Sequence, residues 1–183
     1  MPDDNTRERL LMNPERFPSP NCDDRPEGTT IDTVVIHATV FDSIEEVIRY
    51  FSATASHVSA HYSIGRDGRI VSHVPEGNRA WHAGHSKMKD GRTRVNDFSI
   101  GIELVNRNDG VDPYPASQIR SLRILLKSIL SRHPIRYVVP HYECADPPGR
   151  KSDPAGYDES WIRDLLSDFG ASTPLPSGGN PQA

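Results

Sequence analysis

The 183-residue sequence has little cysteine, no long apolar run and no excess of basic charge. Its two cysteines exclude a disulfide framework and a multi-cysteine zinc finger. No stretch approaches the ~18 consecutive apolar residues of a transmembrane helix, and the amino-terminal residues lack the layout of a signal peptide. With 25 acidic and 21 basic side chains the net charge is −4, which argues against a nucleic-acid partner. These absences predict a chain without a membrane span that is cytoplasmic as synthesised.

The sequence is unusually rich in histidine, with eight residues. Its 13 glycines and 16 prolines predict a chain with many loops. Residues 1–30 are polar and proline-rich, which predicts an arm that packs on the domain or frays from it. Residues 170–183 are built from small and polar residues and predict a disordered tail. One domain remains, at residues 31–169.

The apolar pattern of this domain predicts strands that alternate with helices. Ser43 and Glu46 form a capping box at the start of a helix, and Asp67-Gly68 is a hairpin signal. Residues 79–97 carry few aliphatic side chains and predict a long polar loop. Strands are predicted at 31–36, 61–64, 70–74, 99–105 and 137–139, and helices at 43–53, 115–132 and 158–169. We expect an α/β fold, with helices packed on a central sheet.

Two histidines come directly after predicted strands. His37 follows the buried run at 34–36, and His141 follows the strand at 137–139 and one proline. Ligands of α/β sheets gather at the carboxyl ends of strands. Together with Asp153, these histidines would form the two-histidine, one-carboxylate set of catalytic zinc sites. Because the spacing is not a local signature, histidines with a purely structural role remain the alternative.

Other residues compete for the metal. His57 and His61 are four apart, but the pair lacks the adjacent glutamate of a helical metalloprotease motif. His82 and His85 lie in the polar loop, where a three-residue spacing arises easily. Cys144 would be a strong ligand as a thiolate, although a buried free thiol explains it equally well.

Glu103 lies on the strand at 99–105, where alternation places it on the same face as Gly101. It is either a solvent-facing residue or a carboxylate in a cleft, with Gly101 leaving room for substrate. Lys151 and Asp153 are two positions apart, so an extended backbone would point both to one side. Lys151 is then either a solvated surface lysine or a cation that neutralises an oxyanion at the metal.

Five segments together resemble a known family: VVIHAT (34–39), VSAHYSIGRDGRI (58–70), RAWHAG (79–84), RVNDFSIGIELVN (94–106) and RKSDPAG (150–156). They are similar, in this order, to zinc-dependent N-acetylmuramoyl-L-alanine amidases, whose superfamily includes the peptidoglycan recognition proteins. The resemblance covers about residues 18 to 166. RAWHAG with NDFSIGIEL is highly specific, whereas the RDG turn alone would be a weak signal.

The resemblance implies the fold of that superfamily, a central mixed β-sheet flanked by helices. It implies an amidase that cleaves between N-acetylmuramic acid, or its anhydro form, and L-alanine in peptidoglycan or muropeptides. It also implies a zinc ion held by His37, His141 and Asp153, with Glu103 and Lys151 as the catalytic pair. Four further positions are implied to contact substrate: Trp81, His82, Arg94 and Asn96.

Two departures from the family pattern concern the metal site. Pro140 stands where the family usually has glycine before the second histidine, and two extra residues separate His141 from Asp153. Asp146, within this longer loop, therefore becomes a rival carboxylate.

Two alternatives to a recycling enzyme stay open. A peptidoglycan-binding module would keep the groove without hydrolysis. A wall-degrading toxin or lysin would use the same chemistry in the periplasm or cell wall after export or lysis, and would have an inhibitor protein as partner. Neither the oligomeric state nor the preferred sugar follows from the sequence.

Overall fold

The computed structural model of the protein describes residues 13–173. Its strands are β1 (Glu15–Arg16), β2 (Cys22–Asp24), β3 (Thr33–Ala38), β4 (Tyr62–Ile64), β5 (Ile70–Ser72), β6 (Asn78–Ala80), β7 (Ser99–Leu104) and β8 (Tyr137–Pro140). Its helices are α1 (Ile44–Ser52), α2 (Ala116–Arg132), α3 (His141–Cys144) and α4 (Arg163–Asp168). Three short 3-10 turns lie at Thr54–Ser56, Val95–Asp97 and Glu159–Trp161. No helix within these residues is long and apolar enough to cross a membrane.

The main sheet has six strands in the order β1-β5-β4-β7-β3-β8. Strands β4, β7, β3 and β8 run parallel to one another, whereas β5 pairs antiparallel with β4. A separate two-stranded sheet joins β2 to β6. The predicted α/β class with a mixed central sheet and flanking helices is therefore confirmed.

Strand β3 lies in the middle of the core and is buried along its whole length. Val34 and Ile36 face the apolar side of α2, whereas Val35 faces a smaller cluster that includes Val95 and Val139. Burial on both faces explains why the strand reads as a continuous apolar run. Helix α2 covers the first face of β3, whereas residues of the segment 83–98 cover the second, the face of Val35 and His37.

Local signals placed α1 and the hairpin correctly. The Ser43 hydroxyl accepts a hydrogen bond from the Glu46 amide, and the Glu46 carboxylate accepts one from the Ser43 amide. Strands β4 and β5 form the hairpin around Asp67-Gly68. The closing helix predicted at 158–169 is instead a 3-10 turn and α4, with a break at Ile162. The predicted polar loop contains β6, which is stabilised by pairing with β2 rather than by any apolar pattern of its own.

The described residues near both ends of the chain make contacts with the domain. Strand β1 pairs with β5, and the Arg25 guanidinium donates to four main-chain carbonyls, those of Glu76, Asn96, Asp97 and Ser99. Ala171 is buried, and the Ser172 carbonyl accepts from the Val138 amide. The disordered tail at residues 170–183 stays a prediction. Residues 1–12 and 174–183 lie outside the described residues.

Candidate metal centre and active site

The register of the parallel strands places the predicted site residues in one row. His37 is the Cα partner of Glu103, and Glu103 is the partner of Ser63. His141 follows the last residue of β8, which pairs with the residue before His37. Residues paired across parallel strands point to the same face. The row His141–His37–Glu103–Ser63 therefore crosses the sheet on the face that α2 does not cover.

His37, His141 and Asp153 converge at the carboxyl end of β3. The His37 Nδ1 atom lies 3.1 Å from His141 Nδ1 and 3.3 Å from Asp153 Oδ2, and His141 Nδ1 lies 2.9 Å from the same oxygen. All three residues are buried, and their ligand atoms lie within 4.8 Å of one another. The structure thus brings together the three residues predicted to bind a metal.

The competing residues lie outside this cluster. The Asp146 carboxylate is 3.4 Å from His85 Nδ1, on the exposed loop that follows α3. Cys144 is a buried free thiol whose pKa is raised to about 12, chiefly by burial, and its sulfur donates to the His141 carbonyl. His61 has its Nδ1 occupied by the Gly101 amide.

The chemistry of the donor set fits a divalent cation. Burial, followed by the neighbouring His141, lowers the pKa of His37 to about 4, so its imidazole is neutral near pH 7. Burial opposes ionisation of Asp153, but the contacts of its carboxylate with the imidazoles of His141 and His37 hold its pKa well below the usual range. The His141 Nε2 atom lies 3.2 Å from the Ala83 carbonyl, which can only accept a proton. With a metal at Nδ1, the imidazole proton of His141 would lie on Nε2, where this carbonyl can accept it.

Glu103 is a buried carboxyl group, only 8% exposed, and this excludes the solvent-facing alternative. Within residues 13–173 its Oε2 atom has no hydrogen-bond partner. Burial, followed by the Asp153 carboxylate, raises the pKa of Glu103 to about 8, against an opposing effect of Lys151. Lys151 is exposed, and its positive charge acts on both His37 and Glu103. A carboxyl group with a pKa near the working pH is suited to proton transfer.

Gly101 does not leave room for substrate, contrary to the expectation from the sequence. A Cβ atom at this position would lie 2.5 Å from Cγ of His82. The space beside Gly101 is therefore filled by the His82 imidazole. His82 is buried, and its Nδ1 atom lies 3.0 Å from Nε2 of His37.

The other residues implied to contact substrate occupy different environments. Trp81 is half-buried, and its amide donates to the Ser59 hydroxyl. Arg94 is exposed and pairs with the Asp97 carboxylate at 2.9 Å. The side-chain oxygen of Asn96 accepts from the main-chain amides of residues 82 and 83, at 3.3 and 2.8 Å. Contact of these side chains, and of His82, with substrate stays a prediction.

Arg150 also holds the site together, a role that no motif in the sequence predicts. Its guanidinium donates to the carbonyls of Ala83 and His85, and to that of Asp146 in the longer loop. It therefore ties this loop to the segment next to the metal cluster. Its position at the start of the RKSDPAG segment indicates that it lies near the site. Nothing in the sequence indicates which carbonyls it contacts.

Comparison with known proteins gives consistent matches across most of the chain. The family described as N-acetylmuramoyl-L-alanine amidase matches residues 27–156. The chain is 36% identical over 179 residues to the 1,6-anhydro-N-acetylmuramyl-L-alanine amidase AmpD of Escherichia coli (strain K12), covering 86% of this chain and 94% of that protein. It is 39% identical over 140 residues to the N-acetylmuramoyl-L-alanine amidase AmiD of the same organism, covering 68% of this chain and 49% of that protein.

Solved structures agree with these sequence matches. The crystal structure of a selenomethionine derivative of AmpD gives a TM-score of 0.73 at 33% identity, covering 83% of this chain and 93% of that one. The complex of AmiD from E. coli with anhydro-N-acetylmuramic acid-L-Ala-D-gamma-Glu-L-Lys gives a TM-score of 0.63 at 33% identity. That match covers 80% of this chain and 61% of the AmiD chain.

Proposed function

Because the chain belongs to the N-acetylmuramoyl-L-alanine amidase family, we propose that it hydrolyses the amide between the lactoyl group of N-acetylmuramic acid and L-alanine. We propose the anhydro form of the sugar, in soluble muropeptides, as the preferred substrate. The similarity to AmpD along almost the whole of that enzyme supports this choice. So does the similarity to AmiD, which was solved with an anhydro-muropeptide.

The metal of this site is proposed to be zinc, held by Nδ1 of His37, Nδ1 of His141 and a carboxylate oxygen of Asp153. Two neutral imidazoles and one carboxylate are a recognised catalytic zinc set that leaves one position open. When bound, zinc would supply Lewis-acid polarisation of the scissile carbonyl. The single observation that carries the proposal is the buried convergence of these three residues beside Glu103.

Glu103 would move the proton of the reaction. In the ionised form of Glu103, the unpartnered, buried Oε2 atom could accept a proton from the attacking water, and a raised pKa would let the carboxyl group hold that proton until it is passed on. The proton would then pass to the leaving nitrogen of L-alanine. One carboxyl group would thus act first as the general base and then as the general acid of the amide hydrolysis.

Lys151 would stabilise the negative charge that develops on the scissile carbonyl oxygen. Its cation acts on His37 and Glu103, the two residues on either side of the proposed reaction centre. The loss of one such electrostatic donor typically lowers the rate ~10²–10³-fold. A module that only binds peptidoglycan would require neither a complete ligand set nor a buried carboxyl group of raised pKa.

Digestion of purified muropeptides tests the proposed function. Protein loaded with zinc should release the free stem peptide from soluble anhydro-muropeptides, as detected by mass spectrometry, and should do so faster than from intact sacculi. A chelator should abolish the release, and added zinc should restore it.

Two aspartate variants test the assignment of the ligands. Asp153→Ala should lose both bound zinc and activity, whereas Asp146→Ala, a matched change in the neighbouring loop, should retain both. Full activity in Asp153→Ala, or loss of zinc in Asp146→Ala alone, would contradict the assignment.

A further inference from the structure

We propose that His82 is a positioning residue that fixes the tautomer of the metal ligand His37. It would act through a chain of hydrogen bonds that starts at the main-chain carbonyl of Val95 and passes through Ser99. The inference rests on the proposed metal site and deepens it. It gives His82 a role different from the substrate contact implied by the family resemblance.

The first step concerns the proton of the Ser99 hydroxyl. Ser99 Oγ lies 2.6 Å from the Val95 carbonyl and 3.1 Å from His82 Nε2, and Ser99 is fully buried. A carbonyl can only accept, so the single hydroxyl proton points to Val95. Ser99 then offers a lone pair to His82. The proton of the His82 imidazole must therefore be on Nε2.

The second step concerns the proton of the metal ligand His37, whose position depends on that of the His82 proton. With its proton on Nε2, His82 has a lone pair at Nδ1, which lies 3.0 Å from His37 Nε2. The matching donor is an N–H group on His37 Nε2. A neutral imidazole has one N–H group. His37 is thus left with a lone pair at Nδ1, the atom that faces His141 and Asp153.

The segment that carries His82 also holds the second metal histidine. The carbonyl of Ala83 accepts from Nε2 of His141 at 3.2 Å. The side-chain oxygen of Asn96 accepts hydrogen bonds from the main-chain amides of residues 82 and 83, and these bonds fix the position of the segment relative to the metal cluster. On its other side the His82 ring packs against Gly101, where no side chain intervenes. Residues 82 and 83 therefore contact the Nε2 atoms of both metal histidines.

The alternative tautomer would impair the site directly. A proton on Nδ1 of His37 would lie among the three ligand atoms and would have to be displaced before a metal could bind. Partners of the non-ligating nitrogen of a metal histidine typically account for ~10–100-fold in metal affinity. His82 is the partner of that nitrogen in His37.

Zinc affinity, measured by competition with a chromophoric chelator, tests the role of His82. His82→Phe keeps a ring but removes the acceptor, and should weaken zinc binding ~10–100-fold. His82→Asn keeps an acceptor near the position of Nδ1 and should recover most of this loss. His73→Phe, the same change at a buried histidine bonded to Ser63 and Phe17, should leave the affinity unchanged.

Tautomers in the metal-free protein give an independent readout. Long-range ¹H–¹⁵N spectra of wild type should show the Nε2–H form for both His37 and His82, and Ser99→Ala should mix the His82 forms. An Nδ1–H form of His82 in wild type would overturn the proposal, even if His82→Phe fails to fold. So would a folded His82→Phe with wild-type affinity, or an Asn variant as weak as Phe. Wild-type protein that binds no zinc would instead refute the proposed function.

Discussion

Glu103 illustrates at the scale of one residue how burial changes the chemistry of a carboxyl group. In water its pKa would be near ~4.3, and it would be a poor proton donor at neutral pH. In the structure, loss of hydration and the neighbouring Asp153 charge raise that pKa to about 8. The pKa of Asp153 is shifted the other way, to well below its usual range, because its carboxylate lies in contact with the imidazoles of His141 and His37. The pKa values of two neighbouring carboxyl groups are thus shifted in opposite directions.

Replacement of Glu103 by Gln should separate proton transfer from metal binding. The amide has almost the same shape but cannot accept the proton of water, so kcat should fall ~10²–10⁴-fold. Zinc content should be unchanged, since Glu103 is not among the ligands. Steady-state kinetics and metal analysis measure both effects.

Glu143→Gln provides the control for this change. Glu143 is a second carboxylate of low exposure near the site, but it pairs with Lys89 at 3.2 Å. The Glu143→Gln variant should keep the kcat of the wild-type protein. Unchanged turnover in Glu103→Gln would remove Glu103 from the mechanism.

Strands β3, β7 and β8 assemble the site at the scale of secondary-structure elements. Residues that are 66 and 104 positions apart become neighbours because parallel strands pair with a fixed register. A shift of one residue in the pairing would turn His37 or Glu103 toward the apolar cluster under α2. The register is held by that same apolar face, so the core and the site are specified together.

Gly101→Ala should disturb the site from within β7. The new methyl group would overlap the His82 ring, displace it from His37 and weaken zinc binding. An effect of ~10–100-fold is expected, as for direct loss of the partner. Gly77→Ala is the matched control, since a Cβ atom at Gly77 meets nothing within 4 Å. If both variants bind zinc like wild type, close packing between Gly101 and His82 does not hold the ligand.

At the scale of the whole molecule, the loop-covered face of the sheet depends on segments far apart in the chain. The amino-terminal residues reach the site region through Arg25, whose guanidinium donates to the carbonyls of residues 96, 97 and 99. Those residues adjoin the 82–83 segment through Asn96. Arg25 is therefore part of the framework that supports the site.

Buried neutral histidines should make the stability of the whole fold dependent on pH. Burial lowers the pKa of His73 to about 4 and that of His61 to about 3. In the unfolded chain both titrate near ~6.5. Between pH ~6.5 and ~4 the unfolded state binds more protons, so the free energy of unfolding falls as the pH falls. Each histidine contributes up to ~1.4 kcal/mol per pH unit.

Urea unfolding of the metal-free protein at several pH values measures this slope. His73→Gln removes one of these titrating groups and should make the slope shallower by the share of one histidine. Equal slopes for wild type and variant would show that His73 is not neutral in the folded protein.

Much of the fold could be predicted because its signals are local. The capping box at Ser43 and the turn at Asp67-Gly68 depend on only a few neighbouring residues. The apolar run at 34–36 indicates a strand that is buried on both faces. The break at Ile162 could not be predicted, because helical periodicity continues through it. Strand β6 could not be predicted either, because its only support is pairing with β2, some 56 residues away.

The sequence by itself determined the family, the α/β class and the identity of the candidate ligands, because motif residues and apolar periodicity are properties of the linear chain. Only the tertiary structure decided that Asp153 rather than Asp146 joins the two histidines. It also decided that the His82 imidazole fills the space beside Gly101. Both depend on distances between atoms remote in sequence, and strand register and packing fix those distances only once the core has formed.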